Sequence, residues 1–262
     1  MIDHRHGGKR LAHAPATRRM LAVAGLLAVL LPVGAARAQD AGEGFLFHVP
    51  RGSVGVHAGF DHAIAGSDLF SYTTSQLTVN RGDFSSLIFG VDGAVRLSPR
   101  LDLDVGLSYA GESTPSESRE FIDANNQPIR QTTSFRRVPL SASLKWYLTP
   151  RGRAIGQFAW VPNKYSFFVG AGAGAMWYRF RQEGDFVDPS TLNIFTDALT
   201  SSGWTPELHG LAGVEYSLSP RFALTGEARY TWATGSPGQD FGGFDRIDLS
   251  GVSATAGIAV RF

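Results

Sequence analysis

Apolar and polar residues alternate along most of the chain after residue 50. Strict alternation with period two predicts β-strands that have one apolar and one polar face. Eight segments show this pattern, at residues 53–61, 87–97, 101–109, 137–148, 167–180, 207–218, 222–232 and 252–262. Most are about ten residues or longer, the length that a tilted strand needs to cross a bilayer. The pattern predicts an all-β protein, an eight-stranded antiparallel up-and-down transmembrane barrel.

The connections between these segments alternate in length. Three carry a similar turn sequence, Ser98-Pro99-Arg100, Thr149-Pro150-Arg151 and Ser219-Pro220-Arg221. Proline presets φ for a turn and cannot donate to a sheet ladder. The other four connections, 62–83, 112–134, 181–203 and 235–247, are long and polar and are predicted to be loops. Short turns at one end and long loops at the other are typical of outer-membrane barrels. Residues 152–165 have no predicted structure.

A sheet that spans a membrane must close on itself, because hydrocarbon offers no partner for backbone N–H and C=O groups. In such a closed sheet the apolar faces are predicted to point outward into lipid. Aromatic residues near the strand ends on these faces form two predicted interfacial belts. Residues Phe60, Tyr109, Trp177, Tyr230 and Trp232 lie near the loops, and Trp146, Tyr216, Phe222 and Phe262 lie near the turns. A secreted lipocalin-like barrel is the soluble alternative, but it would need a greasy interior.

The polar faces carry charges of both signs in mid-strand. We expect these side chains to pair inside the lumen, because an isolated charge in a low-dielectric interior is costly. The predicted lumen charge network comprises Asp92, Arg96, Asp104, Lys145, His209, Glu215, Glu227 and Arg229. Such a network would fill a narrow eight-stranded barrel. A narrow polar path or gate is the alternative.

The N-terminus resembles a secretory signal peptide. A basic region is followed by the apolar run from Met20 to Gly34 and by Ala36-Arg37-Ala38, which predicts cleavage after Ala38. The predicted domains are therefore a signal peptide at 1–38, a short periplasmic segment at 39–51 and the barrel at 52–262. Without the signal peptide, 18 basic residues (24 − 6) face 22 acidic ones (23 − 1), and no basic run suggests nucleic acid.

Residues 167–180, FFVGAGAGAMWYRF, contain a match to the dinucleotide-binding pattern G-x-G-x-x-A, with Asp188 downstream. That pattern needs a helix after the glycines, and the aromatic residues here favour a strand instead. We predict that Gly170, Gly172 and Gly174 face the lumen and leave room for long side chains from other strands. In the following segment, 181–203, acidic residues leave open a cation or lipopolysaccharide site on a surface loop.

The final strand, Ala254-x-Ala256-x-Ile258-x-Val260-x-Phe262, ends in an aromatic residue. It resembles the signal that outer-membrane proteins present to the barrel-assembly machinery. The whole barrel region resembles small outer-membrane barrels of the OmpA, OmpX and OmpW type. The resemblance implies a monomer in the cell outer membrane that contacts outer-membrane lipid and lipopolysaccharide, with Ile258, Val260 and Phe262 as the assembly signal. It implies a fold and a compartment more than an activity. We expect a structural or surface-interaction role or, alternatively, an OmpW-like narrow channel for small solutes.

Catalysis has little support in the sequence. Some small barrels are lipid A-modifying enzymes that use a nearby His and Ser. Here His48, His57, His62 and His209 occur in no H-x-S pair, and their spacings define no triad. There is no cysteine, no C-x-x-C and no H-E-x-x-H. We therefore predict no enzyme activity, no cofactor and no metal.

Overall fold

The computed structural model describes residues 44–123, 126–156, 158–188 and 190–262. The predicted signal peptide and its cleavage site lie outside these ranges. The elements are β1 Gly52–Ala63, α1 Asp68–Gln76, β2 Ser86–Ser98, β3 Leu101–Ile122, β4 Pro128–Tyr147, β5 Gly152–Ile155, β6 Ala159–Pro162, β7 Tyr165–Val187, β8 Ile194–Ser217, β9 Phe222–Gly235, β10 Ile247–Asp248 and β11 Gly251–Arg261. Two 3-10 turns lie at Arg81–Phe84 and Gln239–Phe241.

Eight of these strands form a closed ring. Antiparallel pairing runs in the order β1, β2, β3, β4, β7, β8, β9, β11, and β11 pairs back with β1 from Ser53–Arg261 to Ala63–Gly251. Closure leaves no unpaired edge in the body of the barrel, so its backbone groups are satisfied within the protein. The predicted eight-stranded antiparallel barrel is confirmed.

The outer surface of the ring is apolar, as the alternation predicts. Along β3, Leu103, Val105 and Leu107 are exposed, whereas Asp102 and Asp104 between them are buried. Every other barrel strand also exposes large apolar side chains. Water-soluble monomers rarely expose contiguous apolar patches larger than a few hundred Å². The arrangement therefore suits a lipid environment.

Aromatic side chains border this apolar surface at both ends. Phe60, Tyr109, Trp204, Tyr230 and Trp232 are exposed towards the end where the long connections lie. Trp146, Tyr165, Phe222 and Phe262 are exposed towards the end with the short turns, here called the turn end. Amphipathic rings in two such rows are typical of membrane interfaces.

Two of the predicted long loops are mostly strand, which corrects the prediction of irregular polar loops. Strands β3, β4, β7 and β8 have 20 to 24 residues, whereas β1, β2, β9 and β11 have 11 to 14. The extra residues, 111–122, 128–136, 179–187 and 194–203, pair with one another beyond the ring and are here called the crown. At about 3.3 Å per residue, they extend the sheet roughly 30 Å along the strands.

The other two long connections fold inward over the ring. Residues 64–85 contain α1 and the first 3-10 turn, and residues 236–250 contain the second 3-10 turn and β10. Helix α1 buries Leu69, Phe70 and Thr73. Within the described ranges, no helix is long and apolar enough to cross a membrane.

Candidate functional site

The middle of the lumen holds a group of ionic side chains around Lys145. Its Nζ lies 3.4 Å from Asp104 and 3.1 Å from Glu227. Arg229 donates to the same Glu227 carboxylate at 3.0 Å and to the Ser141 hydroxyl at 3.1 Å. Strands β3, β4 and β9 supply this group, so it ties together three sides of the ring. Each buried charge has an opposite charge beside it, which offsets the cost of desolvation.

A histidine-carboxylate pair lies beside this group. His57 Nδ1 is 3.0 Å from Asp92, and its Nε2 is 3.2 Å from the Ser108 hydroxyl. Glycine at position 90 allows this arrangement, because an added Cβ would lie 2.3 Å from Nε2. The imidazole can therefore lie against the backbone of β2.

A second group closes the lumen towards the turn end. The Glu215 carboxylate accepts hydrogen bonds from the Tyr147 hydroxyl and, at 2.9 Å, from Arg261. Asp102 accepts one hydrogen bond of 2.7 Å from Arg151, and its other carboxylate oxygen lies 2.7 Å from a second guanidinium nitrogen. The Arg151 guanidinium lies 4.5 Å from the centre of the Tyr147 ring. Hydrogen bonds between charged partners are among the stronger ones in proteins.

The predicted residue Arg96 lies at the margin of this second group. Its Nε donates to the Ser98 carbonyl at 3.2 Å, and its side chain is half-buried. Six of the eight predicted lumen residues line one cavity, namely Asp92, Asp104, Lys145, Glu215, Glu227 and Arg229. Arg96 and His209 lie outside its lining.

His209 lies in a third group, on the β4–β7–β8 side of the lumen. Its Nε2 is 2.7 Å from the Ser143 hydroxyl, and its Nδ1 is 3.5 Å from Glu207. The order Ser, His, carboxylate is that of a hydrolase triad, which the sequence spacings did not reveal. However, Ser143 is 1% exposed and Glu207 2%, so no substrate can reach the hydroxyl in this conformation.

The predicted inward glycines of β7 explain how this third group fits. A Cβ added at Gly172 would lie 2.5 Å from His209 Nε2, and one added at Gly174 would lie 3.0 Å from Glu207. The stretch is one continuous strand from Tyr165 to Val187, which excludes the strand-turn-helix of a dinucleotide loop.

Beyond the strand, Asp188 caps its own turn. Its carboxylate accepts a hydrogen bond of 2.7 Å from the backbone N–H of Ser190. This bond holds the pKa of the fully exposed Asp188 carboxyl below its usual value.

An aromatic plug closes the end of the lumen beneath the crown. Phe70 of α1 makes edge-to-face contacts with Phe84, Phe135 and Phe180, at ring-centre distances of 4.8, 5.3 and 5.5 Å. All four side chains are at most 3% exposed. Aromatic pairs of this kind contribute about 0.5–1.5 kcal/mol each beyond the area they bury. The plug is therefore a packed core and not a loose lid.

One ion pair joins the plug to the ring directly beneath it. The guanidinium of Arg137 binds the carboxylate of Asp61, and it also donates to the Leu249 carbonyl at 3.0 Å. Arg137 is 3% exposed. Strands β1 and β4 and the connection 236–250 are therefore fixed to one another through a single side chain.

The β5–β6 hairpin closes the opposite end of the barrel, in the segment for which the sequence predicted no structure. Trp160 is 1% exposed and lies 5.9 Å from the Arg261 guanidinium. Residues Leu46 and Trp160 exchange two backbone hydrogen bonds of 2.8 Å. The segment before β1 thus pairs with the hairpin beside the turn end of the ring.

Two small cavities remain along the lumen, each of about 40 Å³. One is lined by His57, Asp92, Lys145 and Glu227, and the other by Asp61 and Arg137 with Glu227. Such volumes have room for a few water molecules and not for a hydrated solute. The lumen is filled in the way expected of an eight-stranded barrel.

A larger pocket of about 310 Å³ opens in the crown, between α1, the two crown hairpins and the second 3-10 turn. Its lining is mostly apolar and aromatic, and it includes Tyr72, Phe121, Ile129, Phe186, Leu199, Phe241 and Phe244. Two carboxylates border it. Asp185 accepts a hydrogen bond from Thr196 at 2.6 Å, and Asp240 accepts one from the Thr200 N–H at 2.9 Å. Apolar walls with a few fixed polar groups are typical of small-ligand pockets.

Sequence reasoning missed three contributors to this architecture. Tyr147 and Arg151 lie in or beside a predicted turn, and their reach into the lumen depends on the hairpin that follows. Of the plug residues, Phe70, Phe84 and Phe135 lie outside the alternating segments, and Phe180 lies at the end of one. Within the described residues, no cluster of three side chains suited to holding a metal ion occurs.

Comparison with known proteins finds similarity at the level of fold. No family model matches the chain, and no curated protein matches it. The solved structures to which the chain is similar are small outer-membrane β-barrel proteins. Neisserial surface protein A is 15% identical over 80% of this chain and 96% of its own, with a TM-score of 0.45. The outer-membrane protein OprG from Pseudomonas aeruginosa is 12% identical over 83% and 99%, with a TM-score of 0.44. The outer-membrane protease OmpT from Escherichia coli is 10% identical over 85% and 99%, with a TM-score of 0.34.

Proposed function

We propose that the protein is an integral outer-membrane barrel with a structural or surface-interaction role, exported through residues 1–38. An apolar outer surface bordered by aromatic residues supports the membrane location. The observation that carries the role is that both ends of the lumen are closed while the crown continues beyond the ring. A rigid, filled barrel that raises a folded surface above the membrane is suited to display and recognition.

The experiment that tests this role is planar-bilayer recording on the purified, folded chain. We expect no discrete openings, because ion pairs fill the lumen and packed side chains close both ends. The alternative is a narrow channel for small solutes, which would require the plug around Phe70 to move. Regular single-channel steps would overturn the structural role and favour the channel.

The orientation can be tested separately, because the chain contains no cysteine. Ser190→Cys places a thiol in the exposed turn of the β7–β8 crown hairpin, and Thr149→Cys places one at the exposed turn end. A membrane-impermeant maleimide added to intact cells should label the first variant and not the second. Labelling of Thr149→Cys alone would mean that the crown faces the periplasm.

We further propose that the protein is not an enzyme, although Ser143, His209 and Glu207 lie in triad order. A nucleophile must reach a substrate carbonyl, and Ser143 lines neither of the lumen cavities. The hydroxyl instead forms a hydrogen bond of 2.7 Å with Nε2 of the buried imidazole. Acyl release from lipopolysaccharide, detected by mass spectrometry with the purified protein, would overturn this proposal.

The proposed partners follow from the same location. Lipid and lipopolysaccharide would cover the apolar surface of a monomer, and the barrel-assembly machinery would bind the final strand through Ile258, Val260 and Phe262. These three side chains are exposed on the outer surface of β11 and just beyond it. A variant with Phe262→Ala should insert more slowly in cells, and unchanged insertion would count against this role for Phe262.

A further inference from the structure

Three arginines lie together on the outer face of the crown, at its base. Arg136 lies between Phe135 and Arg137 on β4, and both of those neighbours are buried on the inner side. On β7, Arg179 and Arg181 flank Phe180, which is 0% exposed. Because side chains alternate along a strand, the three arginines point away from the barrel axis.

The register places two of these arginines directly opposite each other. Arg136 and Arg179 are cross-strand partners in the β4–β7 ladder, and Arg181 lies opposite Ser134. Directly opposed residues have Cβ atoms about 5 Å apart, and like charges in such pairs repel. The cluster therefore carries an electrostatic cost that a bound anion would remove.

The described residues supply no anion for this pair. Arg181 pairs with Glu183 at 2.7 Å, but neither Arg136 nor Arg179 has a carboxylate oxygen within 4.0 Å in the described part of the chain. The Nε of Arg179 is shielded from solvent and has no hydrogen-bond partner there. By contrast, Arg130, higher on the same face, is paired with Glu117 at 3.4 Å.

The position of the cluster along the barrel axis indicates which part of a lipid would contact it. The guanidinium of Arg179 lies 5.3 Å from the centre of the Trp177 ring, which is next on the same face towards the membrane. On β3, Gly111 lacks the Cβ that would otherwise lie 2.8 Å from the Tyr109 hydroxyl and 3.0 Å from the Arg136 side chain. Tyr109 and Trp177 are members of the predicted aromatic belt, so the arginines lie at the level of lipid headgroups.

Hydroxyl groups surround the cluster. Ser202 lies opposite Arg179, and Thr200 lies opposite Arg181 on β8. The hydroxyl of Ser134, opposite Arg181 on β4, lies 2.9 Å from that of Ser113. Arginine forks combined with hydroxyl donors match the oxygens of a phosphate group.

We propose that Arg136, Arg179 and Arg181 form a site for a phosphate monoester on an outer-leaflet lipid, of the kind that lipid A carries. This proposal rests on the membrane location proposed above. The lipid phosphate would lie between the opposed guanidinium groups, and the acyl chains would extend down the apolar face below Trp177. The site would fix the crown at a defined height above the bilayer.

The test uses the full chain in phosphatidylcholine nanodiscs that contain a small fraction of lipid A. The lipid A that stays with the protein after mild detergent extraction is measured by mass spectrometry. The double variant Arg136→Gln, Arg179→Gln should retain about tenfold less lipid A than the unmodified chain, the change that loss of about 1.4 kcal/mol of binding produces. The control variant Arg100→Gln, Arg153→Gln removes the same charge from exposed positions at the turn end and should retain lipid A normally.

The outcomes separate the possible sources of phosphate. Equal retention of lipid A by both double variants, or equal retention of dephosphorylated lipid A, would overturn the site. Equal retention of phosphatidylglycerol, or displacement of lipid A by millimolar inorganic phosphate, would overturn the assignment to a lipid monoester. Heat-modifiable migration on a gel reports folding into the nanodisc independently. Failure of every variant to fold there would refute the membrane location instead.

Discussion

Glu227 offers a direct test of how the filled lumen stabilises the barrel. Its carboxylate accepts a hydrogen bond from Lys145 at 3.1 Å and binds Arg229 through two nitrogens, at 3.0 and 3.1 Å. The side chain is 14% exposed. Glu227→Ala would remove the shared carboxylate and leave two buried cations with fewer partners.

The expected loss can be set from these contacts. Breaking a buried ion pair by removing one partner costs about 3–5 kcal/mol, because an uncompensated charge remains. Lys145 keeps Asp104 at 3.4 Å, and Arg229 keeps the Ser141 hydroxyl at 3.1 Å. These remaining contacts place the expected loss at the lower end, about 3 kcal/mol. Glu227→Gln keeps an acceptor for Arg229 and should lose less.

The assay is denaturant unfolding of the folded barrel in detergent, followed by tryptophan fluorescence, with the unfolding midpoint and slope fitted together. Glu120→Ala is the matched control, because Glu120 is an exposed crown residue whose side chain makes no ion pair within the described residues. It should change stability by less than about 0.5 kcal/mol. If Glu227→Ala matched that control in stability and in conductance, the lumen charges would not stabilise the barrel and the reasoning would fail.

Three further predictions concern other layers of the molecule. Arg137→Ala should destabilise the folded barrel by about 3–5 kcal/mol, because it leaves the buried carboxylate of Asp61 without its arginine partner. An unfolding midpoint equal to that of the unmodified chain would mean that this ion pair does not stabilise the barrel. Trp160→Ala should cost about 3–5 kcal/mol through the cavity it leaves at the turn end, and an unchanged denaturation curve would mean that the hairpin is not a packed cap. A fluorophosphonate probe should leave Ser143 unmodified in the folded barrel, and labelling that disappears in Ser143→Ala would reveal an accessible nucleophile.

The strands of the ring could be predicted from the sequence because each has one apolar face that points outward and one polar face that points into the lumen. That contrast produces an alternation with a period of two, as in Leu103 and Asp104. The limits of β3, β4, β7 and β8 could not be predicted in this way. In the crown both faces of a strand can be polar, so the alternation fades although the ladder continues.

The site could be predicted only in part, for a related reason. Alternation assigns a residue to the lumen but gives no information on its height or its partner, because partners such as Lys145 and Glu227 are brought together by the register of different strands. The three arginines on the outer face of the crown are a further example. Arg136 and Arg179 are 43 positions apart in the sequence, and only the β4–β7 register places them opposite each other.

The pairing of β1 with β11 has a consequence for how the molecule is made. The ring closes only when the first strand meets the last, a separation of about two hundred residues in which every intermediate sheet has two open edges. Contacts so distant along the chain slow folding, because the intervening chain must be ordered first. The nascent polypeptide must therefore be kept from premature association until its final strand is available for pairing. Substitutions in β11 should lower the yield of assembled protein more than they lower the stability of the barrel once it has formed.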